Sequence, residues 1–134
     1  MKENFNPNLL NGADLAYIGD AYYELYIRQY LIKKGTTKSN ELKKQSLNYV
    51  SAHAHSGIYE KLEEYLTLEE VGIFKRGRNG APKNHRKNLN PKEYLASSGL
   101  EAVIGYLYLN ERYKRLDEIM HTIIRIVEEN NHEY

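Results

Sequence analysis

The sequence predicts an all-α protein of about six to seven helices, and three observations carry that expectation. Apolar residues recur at helical spacing, as in Leu15, Ile18, Tyr22, Leu25 and Ile32, or in Leu116, Ile119, Ile123, Ile126 and Val127. Residues that start and stop helices bracket those stretches. No segment sustains the alternation of a half-buried strand. With no repeat and no compositional break, residues 1–134 read as one domain with a core over about 10–129.

The elements follow in order. Asn8 or Asn11 can cap a first helix from about residue 12 to 33, which Gly35-Thr36-Thr37 ends. Ser39 is the expected cap of a second helix over about 40–48, and Val50 or Ser51 begins a third carrying Ala52, Ala54, Ile58, Leu62 and Tyr65. Thr67-Leu68-Glu69-Glu70 reads as a capping box, so a fourth helix runs from about Leu68 to Arg76. Glycine, proline and asparagine then predict an irregular basic loop over 77–93. A fifth helix runs from about Tyr94 to Leu109, and after Asn110-Glu111 an amphipathic last helix reaches about residue 129.

Composition narrows the chemistry. A chain of 134 residues can bury roughly two-thirds of its unfolded surface, and the absence of cysteine excludes a disulfide framework and thiolate metal sites. The longest near-continuous apolar run, Ala102 to Leu109, is too short to cross a bilayer, and Met1 to Pro7 lacks the apolar core of a signal peptide. The expectation is a soluble, cytoplasmic protein without a membrane partner. Net charge is only +1, yet residues 75–92 hold Lys75, Arg76, Arg78, Lys83, Arg86, Lys87 and Lys92 and no acid. The remainder has twelve cations against eighteen acids, an asymmetry that points to a polyanion.

Two acids interrupt the apolar run Leu15 to Arg28 of the first helix, whose second face also carries Ala13, Tyr17, Ile27 and Leu31. A helix apolar on both faces reads as buried, and an isolated charge there costs several kcal/mol, so Asp20 and Glu24 require something positive. Glu101 is likewise the one charge between Ser97 and Leu109. A hard divalent cation suits such oxygens; so does a lysine or arginine. Glu24 has Arg28 one turn later, whereas Asp20 has no base three or four residues away, which favours a metal there. Small neighbours, Gly19, Ala21 and Ala102, would let the two backbones approach.

The basic run offers Lys75, Arg76, Arg78, Asn79, Lys83, Asn84, Arg86 and Lys87 to phosphates. It holds no zinc-finger spacing and no aromatic residue to stack an unpaired base, so recognition of a duplex by shape and backbone is favoured over a solvated loop or single-strand reading. His53 and His55 could touch phosphate, though isolated histidines on a helix are more often surface or core polar groups.

Leu15-Ala16-Tyr17-Ile18-Gly19-Asp20-Ala21 together with Leu100-Glu101-Ala102-Val103-Ile104-Gly105-Tyr106-Leu107-Tyr108-Leu109 resembles the ribonuclease III catalytic-domain family. The likeness is greater to its mini branch, which lacks a separate double-stranded-RNA-binding domain, and it extends to Val50-Ser51-Ala52, Lys75 to Asn79 and Pro82-Lys83-Asn84. The resemblance implies a homodimeric, all-helical endoribonuclease that hydrolyses double-stranded RNA with Mg²⁺ and matures the precursor of large-subunit ribosomal RNA. Asp20 falls on the family's catalytic aspartate and Glu101 on its metal-binding glutamate; both are expected to be catalytic and to hold metal, with Glu24 a third candidate ligand. Ala13, Ala16 and Ser98 stand where full-length members carry further acids, as in the mini branch. The loop after Asn79 is short, and Asn90, Leu95 and His53 depart from that branch's pattern at positions that bear on substrate choice. A non-catalytic RNA-binding or ribosome-associated module is the alternative, favoured by the thin acid set.

Overall fold

Local signals account for most helix ends. The computed structural model describes residues 5–82 and 90–131. After a 3-10 turn at Pro7–Leu9, the side chain of Asn11 accepts a hydrogen bond from the Asp14 amide at 2.8 Å and starts α1 (Gly12–Lys34). Gly35 ends it at φ 113°, a left-handed conformation that costs glycine nothing. α2 (Ser39–Val50) is followed at once by α3 (Ala52–Leu62), for which Ser51 is the cap. A second 3-10 turn, Glu63–Tyr65, leads to α4 (Leu68–Asn79), opened by the reciprocal Thr67–Glu70 capping box. Asn90 caps α5 (Pro91–Leu109), and α6 (Tyr113–Asn131) follows Glu111 at φ 58°. Among the described residues there are six α-helices and no strand. None of them is long and apolar enough to cross a membrane.

Three expectations are corrected. Ser39 is the first residue of α2 rather than its cap; Lys38 precedes it and makes no side-chain cap bond. The irregular segment is shorter than 77–93 at both ends, because α4 continues to Asn79 and α5 already starts at Pro91. Proline fits a first helical turn, where its missing N–H is not needed. Gly77 stays helical because its bare backbone lies against α5, where an added Cβ would sit 2.4 Å from the Cβ of Ala102.

The third correction concerns α1, which is buried on one face only. Gly12, Leu15, Ala16, Gly19, Tyr23, Ile27 and Leu31 face the core, whereas Tyr17 is 83% exposed, Leu25 64% and Ile32 53%. The reason is position: α5 is the central helix, packed against α1, α3, α4 and α6, and no other described element covers the far side of α1. α5 itself is buried from Ser97 to Leu107 except at Glu101, which is partly exposed. A buried Glu70, gripped by Arg115 at 2.7 and 2.8 Å, ties the start of α4 to α6.

Candidate active site

The site is made where α1 crosses α5. Gly19 and Gly105 carry no side chain between the two backbones; a Cβ on Gly105 would lie 1.9 Å from the carbonyl oxygen of Leu15. This close approach brings the next residue on α1, Asp20, within hydrogen-bonding reach of Glu101. Asp20 is exposed, so the expectation of two fully buried acids is corrected: the pair lies at the edge of the core and opens to solvent.

Electrostatics at this edge are unbalanced. Burial, then the Asp20 carboxyl, then the charge of Glu24 hold Glu101 far above the ordinary carboxylate range, with a hydrogen bond from the Ser97 hydroxyl opposing them. Among the described residues no lysine or arginine forms an ion pair with Asp20 or Glu101. Two like charges this close need a shared proton or a cation. The donor set, oxygen only and open on one side, suits a hard divalent ion that keeps most of its waters. Among the described residues no group of three or more histidine, aspartate or glutamate side chains forms a fuller cage around the pair. Glu24 is held by Arg28 Nη2 at 2.7 Å and reaches Glu101 through its charge alone.

Behind the carboxylates lies a polar group that sequence reasoning left among surface or core alternatives. His55 on α3 is 1% exposed, and its Nδ1 is 2.7 Å from the Oγ of Ser97, one helical turn before Glu101. Burial pushes the imidazole down to about 4, against the Asp20 charge and the Tyr49 carbonyl, so it is neutral at pH 7. The Tyr23 ring meets it edge-on at 4.7 Å, while the Tyr23 hydroxyl donates to the Tyr49 carbonyl at 2.7 Å. The i, i+4 spacing of Ser97 and Glu101 was a signal for the hydroxyl; nothing in the sequence pointed to its partner 42 residues away. Ser98 turns the other way and donates to the Gly77 carbonyl at 3.1 Å. His53 is exposed and lies 2.5 Å from Glu93.

The cations separate into two groups. Lys75 and Arg78 line a cleft with Lys92, Tyr59, Glu60 and Glu63, and Arg78 reaches both the Phe74 ring and the side-chain oxygen of Asn79. Arg76 points elsewhere: its guanidinium donates to the carbonyls of Leu10 and Asn8 and holds the N-terminal segment down. In this structure it is therefore engaged within the chain. Lys83, Asn84, Arg86 and Lys87 lie outside the described residues.

Residues 13–112 match the ribonuclease III domain family. The mini-ribonuclease 3 of Clostridium tetani is 43% identical over 123 residues, covering 91% of this chain and 82% of that protein. The mini-ribonuclease 3 of Staphylococcus aureus is 44% identical, covering 90% and 92%. The crystal structure of a Fusobacterium nucleatum protein superposes with a TM-score of 0.78 at 32% identity, covering 87% of this chain and 93% of that one.

Proposed function

Because this chain belongs to the ribonuclease III domain family, with mini-ribonuclease 3 proteins among its relatives, we propose that it is a Mg²⁺-dependent endoribonuclease that hydrolyses phosphodiester bonds of double-stranded RNA. The observation that supports it most is the Asp20–Glu101 pair: two carboxyls from different helices within hydrogen-bonding reach, with no lysine or arginine among the described residues ion-paired to either. We take the whole of residues 1–134 as one catalytic domain acting as a homodimer in the cytoplasm, with the large-subunit ribosomal RNA precursor as substrate, on the strength of the family resemblance.

Asp20 and Glu101 would hold the cation. When bound, it supplies Lewis acidity that lowers the pKa of water and offsets charge developing on the phosphoryl and departing 3′ oxygens. The chain's own work is then positional. The α1–α5 contact sets the separation of the two carboxyls, Arg28 keeps Glu24 to one side, and Lys75 and Arg78 meet phosphates along the duplex, so that affinity falls steeply with salt. The uncovered face of α1 around Asp20, with Tyr17, Leu25 and Ile32 exposed, supports a second copy docking there. Two sites related by a two-fold axis then cut one strand each.

Asp20→Asn tests the reading. Cleavage of duplex RNA in Mg²⁺ should disappear while gel retention of the same RNA persists; full activity in that variant defeats the assignment. The two-ligand acid set favours one other reading, a non-catalytic RNA-binding module, for which the unsubstituted protein would retain duplex RNA and cleave none of it in Mg²⁺ beyond an EDTA control.

A further inference from the structure

His55 is a fully buried polar side chain with no part in the chemistry above, and its Nδ1 lies 2.7 Å from the Oγ of Ser97, the residue that hydrogen-bonds Glu101. With a cation in place, the donor count along this chain favours one tautomer. An ionised carboxylate accepts only, so with a cation in place the single proton of the Ser97 hydroxyl points to Glu101. The Ser97 oxygen is then left as an acceptor, and the imidazole nitrogen 2.7 Å away must carry the proton. The other nitrogen, Nε2, makes no hydrogen bond of normal geometry; the Tyr49 carbonyl, which faces the imidazole, accepts instead from the Tyr23 hydroxyl at 2.7 Å. A bare lone pair at Nε2 is a cheaper orphan than a buried N–H.

We propose that His55 is a positioning residue for Glu101: as the neutral Nδ1–H tautomer it fixes the Ser97 hydroxyl, which holds the carboxylate toward the cation. This rests on the functional reading above. The three groups come from two helices, α3 and α5, and the T-shaped Tyr23 ring fixes the imidazole plane from a third, α1. The arrangement is that of an outer-shell partner orienting a ligand, and its removal lowers metal affinity about 10-fold or more.

The test measures Mn²⁺ binding to the full-length protein by electron paramagnetic resonance, with no RNA present. His55→Leu and Ser97→Ala should each bind Mn²⁺ about 10-fold more weakly. The double variant should bind no more weakly than Ser97→Ala alone, because His55 acts only through that hydroxyl. His55→Asn, whose amide can donate near the Nδ1 position, should recover most of the loss. Wild-type affinity in His55→Leu, or single losses that add in the double variant, would overturn the proposal. Should His55→Leu fail to fold, ¹⁵N imidazole shifts of the unsubstituted protein in Mg²⁺ decide it: Nδ1–H supports the proposal and Nε2–H ends it. An unsubstituted protein that neither binds Mn²⁺ nor cleaves duplex RNA removes the functional reading and this inference together, whereas normal cleavage with an indifferent His55→Leu removes this inference alone.

Discussion

A Cβ built on Gly19 would lie 1.8 Å from the carbonyl oxygen of Glu101. The backbone just before one proposed ligand therefore rests directly on the backbone of the other. Packing and site assembly are the same contact, since Gly105 answers it one turn along α5 against the carbonyl of Leu15.

Gly19→Ala should accordingly damage stability and activity together. Forcing a methyl into a packed contact costs about 1–3 kcal/mol, and more where the opposing atom is backbone. Displacing α1 by about 1 Å would cost on the order of 10²-fold in cleavage rate. Urea denaturation and single-turnover cleavage measure the two. A variant of normal stability with normal activity would show that the helices do not approach as described.

Glu101 sets a pH dependence of stability. Its carboxyl is protonated in the folded, metal-free chain well above the ordinary range, while the unfolded chain releases that proton near pH 4.5. The folded state thus binds more protons above that pH, and this contribution to stability declines as pH rises. A cation takes the proton's place, so the rise in melting temperature given by Mg²⁺ should grow from pH 6 to pH 9. Glu101→Gln should flatten the decline and abolish the Mg²⁺ increment; an increment independent of pH would contradict the assignment.

His55 has the opposite sign. Its folded value of about 4 lies below the ordinary 6.5, so the unfolded chain takes up the proton first. Its contribution is present above about pH 6.5 and lost as pH falls towards 4, on the order of 3 kcal/mol in all. Denaturation midpoints measured between pH 7 and 4 should fall less steeply for His55→Leu than for the unsubstituted protein, even if the variant is less stable at pH 7.

The cations should divide by role. Lys75→Ala with Arg78→Ala should weaken duplex-RNA retention and lower the salt slope by about two, one for each phosphate contact removed. Arg76→Ala should leave the slope alone and instead loosen residues 5–11, read as faster amide exchange there, because its guanidinium serves the Leu10 and Asn8 carbonyls. A slope change in Arg76→Ala would return that residue to the RNA face.

Helix limits were largely legible in the sequence because capping is local. Asn11, Ser51, Thr67 with Glu70, and Gly35 act within a turn of themselves, and each does in the fold what its residue type allows. The two acids were legible for a related reason: a lone carboxylate in an apolar stretch is conspicuous, and the glycine beside Asp20 signalled a close helix crossing. The depth of burial was misjudged, since helical periodicity says which residues share a face but not which face another helix will cover; Tyr17 and Leu25 are apolar and exposed.

What the sequence determined by itself was an all-helical chain with particular ends, and two acids in need of a positive partner. Only the tertiary structure decided which groups meet: Asp20 with Glu101, Ser97 with His55, Arg76 with the Leu10 carbonyl. These pairs join residues 42 to 81 positions apart, or 66 in the last case, and depend on the register with which rigid helices cross. A pattern repeating every 3.6 residues carries no information about that register. It is set by where glycines let backbones touch, a property of two helices at once.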